Sequence, residues 1–249
     1  MAEKNWLVGC SGFHYREWKN EFYPAKLPAS KWFEYYTQQF HTIELNGTFY
    51  RFPRLGGLQS WYHRSPPGFV FSIKAPRLIT HYKKFRDCER LLDDFYNTSL
   101  EGLKEKLGAI LFQLPPDLIY SREKLDLILS QLNPAFANTI EFRHHSWWNE
   151  KVYAILAAHN IIFCGISYPG LPDHAHFSQS TLYYRFHGIP KLYYSRYKKK
   201  SLHAFVQQVE QAKGLKRIYV YFNNTASVAA IANSKSLMKL LKDYKMPSR

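Results

Sequence analysis

Ionisable side chains recur at one kind of place in this sequence, the end of a short apolar run. Glu44 stands in Thr42-Ile43-Glu44-Leu45-Asn46, Lys74 ends Val70-Phe71-Ser72-Ile73-Lys74, and Gln113 ends Ile110-Leu111-Phe112-Gln113. Glu141 and Arg143 flank Phe142, Arg185 and His187 flank Phe186, and Asn223 and Asn224 follow Tyr221-Phe222. Two carboxylates on separate strands can act as acid and base across a substrate, the arrangement that hydrolysis needs. Glu44, Glu141 and His187 are therefore the catalytic candidates. Lys74, Arg143 and Arg185 form a cationic set, and guanidinium groups suit two-point contact with phosphate or carboxylate. With Asn46, His81, Gln113, Asn223 and Asn224 they are the candidate substrate-binding groups. The competing reading is structural: each glutamate pairs with a nearby cation such as Lys74 or Arg143. Glu44, Glu141, His81 and His187 also have the chemistry for a divalent ion, but no HxxxH or HExxH spacing accompanies them. No cofactor is expected, with a divalent metal kept as an alternative.

Strands must carry these groups. Eight short β-branched or aromatic runs occupy residues 6–10, 42–45, 69–73, 109–112, 139–142, 161–166, 182–186 and 218–222. Amphipathic stretches separate most of them: residues 30–40, 87–106, 121–132 with Ser121 as N-cap, 146–158, 201–212 and 224–241. Residues 167–180, rich in Pro, Gly, Asp and His, read as a long loop. Strand–helix alternation implies a parallel sheet, and eight units in 249 residues imply one α/β domain over residues 1–249, a TIM-type (β/α)8 barrel. The glycines of the first turn do not spell GxGxxG, and no Walker A string occurs. Side chains two apart share a strand face. Ile140 and Phe142 then face the helices while Glu141 and Arg143 face inward. The same parity turns Glu44, Asn46, Arg185, His187 and Asn223 inward. Charges unpaired in a core cost several kcal/mol each, so polar strand ends point to a site at the C-terminal barrel mouth. The loops after the seventh and eighth strands, with Gly188 and Asn223-Asn224-Thr225, are candidate phosphate contacts.

The motifs resemble the YecE-like proteins, the domain of unknown function 72 family. They are Gly9-Cys10-Ser11-Gly12 with Tyr15 and Trp18; Glu44-Leu45-Asn46-Gly47-Thr48-Phe49-Tyr50 with Pro53; Lys74 with Thr80-His81; Gln113-Leu114-Pro115-Pro116; Glu141-Phe142-Arg143 with Ser146-Trp147; Arg185-Phe186-His187-Gly188; and Tyr219-Val220-Tyr221-Phe222-Asn223-Asn224. The resemblance runs over about residues 9–237. It implies a TIM-type barrel and supplies no reaction. Family members often carry an Asp after the sixth strand, where Ser167 stands here, so a catalytic role for that Asp would set this chain's activity apart.

Bulk properties bound the partners. Lys and Arg number 34 against 19 acids, a net +15 that attracts phosphorylated ligands and nucleic acid. Arg196, Lys198, Lys199 and Lys200, interleaved with Tyr193, Tyr194 and Tyr197, are candidate nucleic-acid contacts. Lysines at a helix start oppose the helix dipole, so they are not there for helix stability. Three scattered cysteines, no signal-like start and no long apolar run lead to a cytoplasmic expectation without membrane contact. Cys10 reads as a packed thiol. The sequence leaves the oligomeric state open. The function expected is an enzyme of hydrolase or isomerase type, with Glu acid–base groups, acting on an anionic, phosphorylated or sugar-containing substrate. The alternatives are a nucleic-acid-binding or metal-assisted nuclease-like protein and a non-catalytic anion-binding protein.

Overall fold

A computed structural model describes residues 3–177 and 180–245, so two positions of the 167–180 loop lie outside the described residues. All eight expected strands form: β1 (Asn5–Cys10), β2 (Thr42–Leu45), β3 (Val70–Lys74), β4 (Leu107–Gln113), β5 (Ala137–Glu141), β6 (Ile162–Ser167), β7 (Thr181–Phe186) and β8 (Arg217–Phe222). They make one eight-stranded sheet in the order β1-β8-β7-β6-β5-β4-β3-β2. The helices are α1 (Trp32–Thr37), α2 (Gly47–Tyr50), α3 (Leu55–Arg64), α4 (Glu89–Leu103), α5 (Arg122–Gln131), α6 (Glu150–Ala158), α7 (Lys199–Gln211) and α8 (Ala229–Lys245). The fold is a TIM-type (β/α)8 barrel. No helix of the described residues is long and apolar enough to cross a membrane. The backbone divides into two compact units, residues 44–164 and residues 1–43 with 165–249.

In residues 44–164, β3, β4 and β5 pair in parallel. Register sets Lys74 beside Leu111 and Gln113 beside Glu141, which places three polar groups at the C-terminal ends of adjacent strands. Outward residues pack under helices, as their parity requires. Phe142 stacks on Trp147 at 4.3 Å, and the indole N–H donates to the Leu118 carbonyl at 2.6 Å. Tyr96 of α4 stacks on Phe136 and donates to Asn138 Oδ1 at 2.8 Å, fastening α4 to the start of β5. Burial of each such aromatic or aliphatic group contributes about 1.5–3 kcal/mol. Ser121 caps α5 as expected, accepting from the Lys124 amide, and Asn149 caps α6 by accepting from the Val152 amide. Helix α3 has no counterpart in the sequence reading. Its Gly56-Gly57 pair lowers helix propensity, and packing supplies the helix: Leu58 is buried and lies where a Cβ on Gly102 of α4 would stand.

In residues 1–43 and 165–249, β8 pairs with β1 and β7 in parallel, in continuous register. Phe186 stacks on Phe222 at 4.8 Å and meets Phe205 of α7 edge-on at 5.1 Å, so this face of β7 and β8 packs against α7. Tyr183, Tyr219 and Tyr221 project on the opposite parity and cluster with ring centroids 5.3–6.4 Å apart. At Gly9 a Cβ would stand 2.4 Å from the Thr42 carbonyl oxygen, so β1 approaches β2 closely only without a side chain. The Tyr36 hydroxyl of α1 fastens that approach: it accepts from the Cys10 amide at 2.8 Å and donates to the Thr42 carbonyl at 3.0 Å.

Candidate functional site

The polar strand ends of residues 44–164 form one hydrogen-bonded chain and one ion pair. Thr48 starts the arrangement. Its hydroxyl lies 2.6 Å from the Lys74 carbonyl and 3.1 Å from the Leu45 carbonyl, tying α2 to the ends of β2 and β3. That tie sets Phe49 against Lys74, whose Nζ sits 3.9 Å from the ring centroid. A desolvated ammonium over an aromatic face is attracted by the ring quadrupole. Lys74 is 8% exposed and donates to Gln113 Oε1 at 2.8 Å. The Gln113 amide nitrogen lies 3.1 Å from the Leu114 carbonyl and 3.4 Å from His81 Nε2, and His81 Nδ1 lies 2.9 Å from the Thr80 hydroxyl. The contacts agree with one tautomer, Nδ1 protonated toward Thr80 and Nε2 accepting from Gln113. Burial, with the Lys74 cation second, pushes the His81 pKa down to about 4. His81 is thus neutral near pH 7, a rigid acceptor that holds the amide of Gln113 and through it the lysine.

Beside this chain, Arg143 Nε donates to Glu141 Oε1 in a pair with almost no solvent exposure. The Cys164 thiol lies 3.8 Å from the second carboxylate oxygen. The buried pair is the structural reading of Glu141 realised. It also fixes a guanidinium just after β5, its charge balanced by the carboxylate. Glu44 is fully buried on β2. Asn46 follows it at the start of α2, and its Oδ1 is buried with no partner among the described residues. A buried acceptor in want of a donor is a place where a ligand hydroxyl or amide would be stabilised.

In residues 1–43 and 165–249, Arg185, His187 and Asn223 come together. His187 is fully buried, with Nδ1 2.9 Å from Asn223 Nδ2 and Nε2 3.5 Å from Arg185 Nη1. Arg185 is 1% exposed. Asn224 is not with them. Its amide donates to the Ser195 carbonyl and to Asn233 Oδ1 of α8, so it laces the 188–198 loop to a helix. The Gly188 N–H, a candidate phosphate contact, is likewise engaged, donating to the Tyr197 hydroxyl at 2.8 Å. Arg196, Lys198, Lys199 and Lys200 are exposed at and before the start of α7. Arg196 and Lys198 line a cavity of about 930 Å³ against Tyr184, Phe186 and Phe205. Cys10 is packed, 3.4 Å from the Ser234 hydroxyl, and burial pushes its thiol up to about 12. Among the described residues no group of three or more His, Cys, Asp or Glu is placed to hold a metal ion.

Two features escaped the sequence reading. Asp173, within the 167–180 loop, brings its carboxylate to β6 and β7: the Ser167 hydroxyl donates to Oδ2 at 3.0 Å, and the Tyr184 hydroxyl donates to Oδ1. A carboxylate thus stands next to Ser167, delivered from six residues further along. Phe49 and His81 also form a wall, ring centroids 5.0 Å apart. The quoted string Thr48-Phe49-Tyr50 contained that signal, but an aromatic after a strand reads as core unless its neighbours are known.

Comparison with known proteins gives one answer at three levels. The family model for "Protein of unknown function DUF72" matches residues 7–248. The chain is 24% identical over 256 residues to the UPF0759 protein YunF of Bacillus subtilis (strain 168), covering 89% of this chain and 90% of YunF. The crystal structure of a DUF72 family protein (TM1631) from Thermotoga maritima MSB8 superposes with a TM-score of 0.86 at 29% identity, over 96% of this chain and 99% of that one. A DUF72 family protein (EF0366) from Enterococcus faecalis V583 shares the fold, with a TM-score of 0.81 at 16% identity, over 98% of this chain and 97% of that one.

Proposed function

The chain belongs to the DUF72 family, and on that premise we propose that it binds and acts on a small anionic substrate, phosphorylated or sugar-containing, at the strand ends of residues 44–164. The supporting observation is the Lys74–Gln113–His81–Thr80 chain. It holds an ammonium in place on neutral, rigid partners, against the face of Phe49. Such preorganisation is what a site needs to stabilise negative charge, because the donors do not reorganise as charge develops. Arg143, paired with Glu141, contributes a guanidinium whose charge that carboxylate balances, and Asn46 and Gln113 orient the substrate. Glu141, fully buried and held by Arg143, is the candidate acid–base group. The test is calorimetric titration of inorganic phosphate and sugar phosphates into the protein and into Lys74→Met. Binding that falls tenfold or more in the variant supports the reading; equal binding, or none to either protein, overturns it.

A second reading has its own observation. Tyr193 and Tyr194 are exposed, and Lys191 Nζ lies 4.4 Å over the Tyr194 ring, just before Arg196 and Lys198–Lys200. Aromatics alternating with cations suit a nucleic-acid strand. Salt-insensitive binding of an oligonucleotide, or none, would remove this reading.

A further inference from the structure

Residues 44–164 carry a feature that anion binding leaves without a task. Nine large apolar or aromatic side chains are exposed among the described residues, and four of them, Tyr50, Phe52, Leu78 and Tyr82, come from the two short segments after β2 and β3. Tyr50 and Tyr82 are each 66% exposed. Such rings on a surface mark a contact when they cluster. Arg77 binds the two together: its guanidinium carbon lies 5.5 Å from the Tyr50 ring centroid and 5.4 Å from that of Tyr82. The group is continuous with the proposed anion site. Tyr50 meets Phe49 edge-on at 5.1 Å, and Phe49 carries Lys74 on its face and His81 at its edge. One aromatic ring therefore separates the exposed Tyr50 from the buried ammonium.

We propose that the ligand of this site is a nucleotide, with its phosphate at Lys74 and its base stacked on the Tyr50–Arg77–Tyr82 rim. The proposal rests on the anion-site reading above and names its substrate class. Four considerations favour a base over other bodies that could carry a phosphate. A base has a π-face, and stacking on an exposed tyrosine strengthens binding about five- to hundredfold. An arginine guanidinium, here within 5.5 Å of both ring centroids, also stacks on the face of a base. An acyl chain would call for an enclosed apolar groove, whereas here the rings stand in solvent with a cation between them. A bare sugar phosphate would leave the rim untouched. The same chemistry is met by a free nucleotide and by the terminal nucleotide of a strand.

The experiment is calorimetric titration of the whole protein with the four nucleoside 5′-monophosphates, ribose 5-phosphate, inorganic phosphate and a 5′-phosphorylated single-stranded oligonucleotide. At least one nucleotide should bind ten times more tightly than ribose 5-phosphate. The double variant Tyr50→Ala/Tyr82→Ala should erase that preference while its affinity for ribose 5-phosphate stays within twofold. Both side chains are exposed, so the variant keeps its fold, which a melting curve verifies. If no nucleotide exceeds ribose 5-phosphate, or the double variant keeps the preference, the rim proposal is overturned. The anion reading then still stands wherever ribose 5-phosphate binding depends on Lys74. If no phosphate binds at all, both fail together. An oligonucleotide that binds more tightly than its mononucleotide identifies a strand end as the source; an equal or weaker one identifies the free nucleotide.

Discussion

The two units of this chain carry charge in opposite ways. Residues 44–164 hold 15 of the basic and 12 of the acidic residues, a net of +3, and the rest of the chain holds the remaining +12. Yet the smaller excess includes two well-organised cations. Lys74 and Arg143 are nearly buried, each fixed by a hydrogen-bonding partner on the same or a neighbouring strand. The larger excess is mostly exposed side chains of loop and helix, such as Arg196 and Lys198–Lys200, with Arg185 its buried exception. Net charge therefore does not locate the site. A diffuse field speeds encounter with anions, while recognition needs desolvated donors at fixed positions.

The comparison can be broken by mutation. The largest effect is expected at the buried pair: Glu141→Ala leaves the Arg143 charge in the interior, and urea unfolding should show a loss of about 3–5 kcal/mol. The exposed Arg122–Asp126 pair of α5 is the control; Asp126→Ala should cost about 0.3–0.5 kcal/mol. Next comes the 188–198 loop. Tyr197→Phe strands the buried Gly188 N–H and should cost about 1–2 kcal/mol in the same assay.

A smaller effect is expected from pH. The His81 pKa lies at about 4 in the folded chain, below the 6.5 usual for histidine, so the unfolded chain takes up the proton first. The share of stability that His81 carries should then fall as pH drops from 6.5 to 4 and level off below that. His81→Gln should flatten this window. The ring is only half-buried, so solvent screening reduces its share to about 1 kcal/mol. A pH profile unchanged by the substitution would contradict the neutral, hydrogen-bonded ring. The smallest effect on stability belongs to the surface cations. The triple variant Lys198→Ala/Lys199→Ala/Lys200→Ala should unfold within about 0.5 kcal/mol of the parent. If the second reading holds, its oligonucleotide affinity should lose about 2 units of salt slope, since three contacts at roughly 0.7 each are removed.

Much of this was legible in the sequence because strands impose a period of two. All eight apolar runs became strands, and the parity that turns Phe142 toward Trp147 follows from spacing alone. Ser121 announced its helix because a hydroxyl before an amphipathic stretch satisfies an orphan N–H. What stayed hidden depends on three dimensions. Helix α3 is set by packing at Gly102 against its own propensity. Parity alone does not say that Asn224 turns to Ser195 and Asn233 while its neighbour Asn223 meets His187. Asp173 reaches Ser167 by the path of a loop whose sequence has no period. The role of Tyr50 and Tyr82 appears only when Arg77 is seen between them.

The most direct test sets the two kinds of cation against each other in one calorimetric titration. Ribose 5-phosphate is added to Lys74→Met and to the Lys198–Lys200 triple alanine variant at a single, moderate salt concentration. The buried lysine should account for a loss of tenfold or more, and the three exposed lysines for less than twofold. The opposite ranking, with Lys74→Met binding as the parent does and the triple variant failing, would contradict the assignment of the anion site to the ends of β3, β4 and β5.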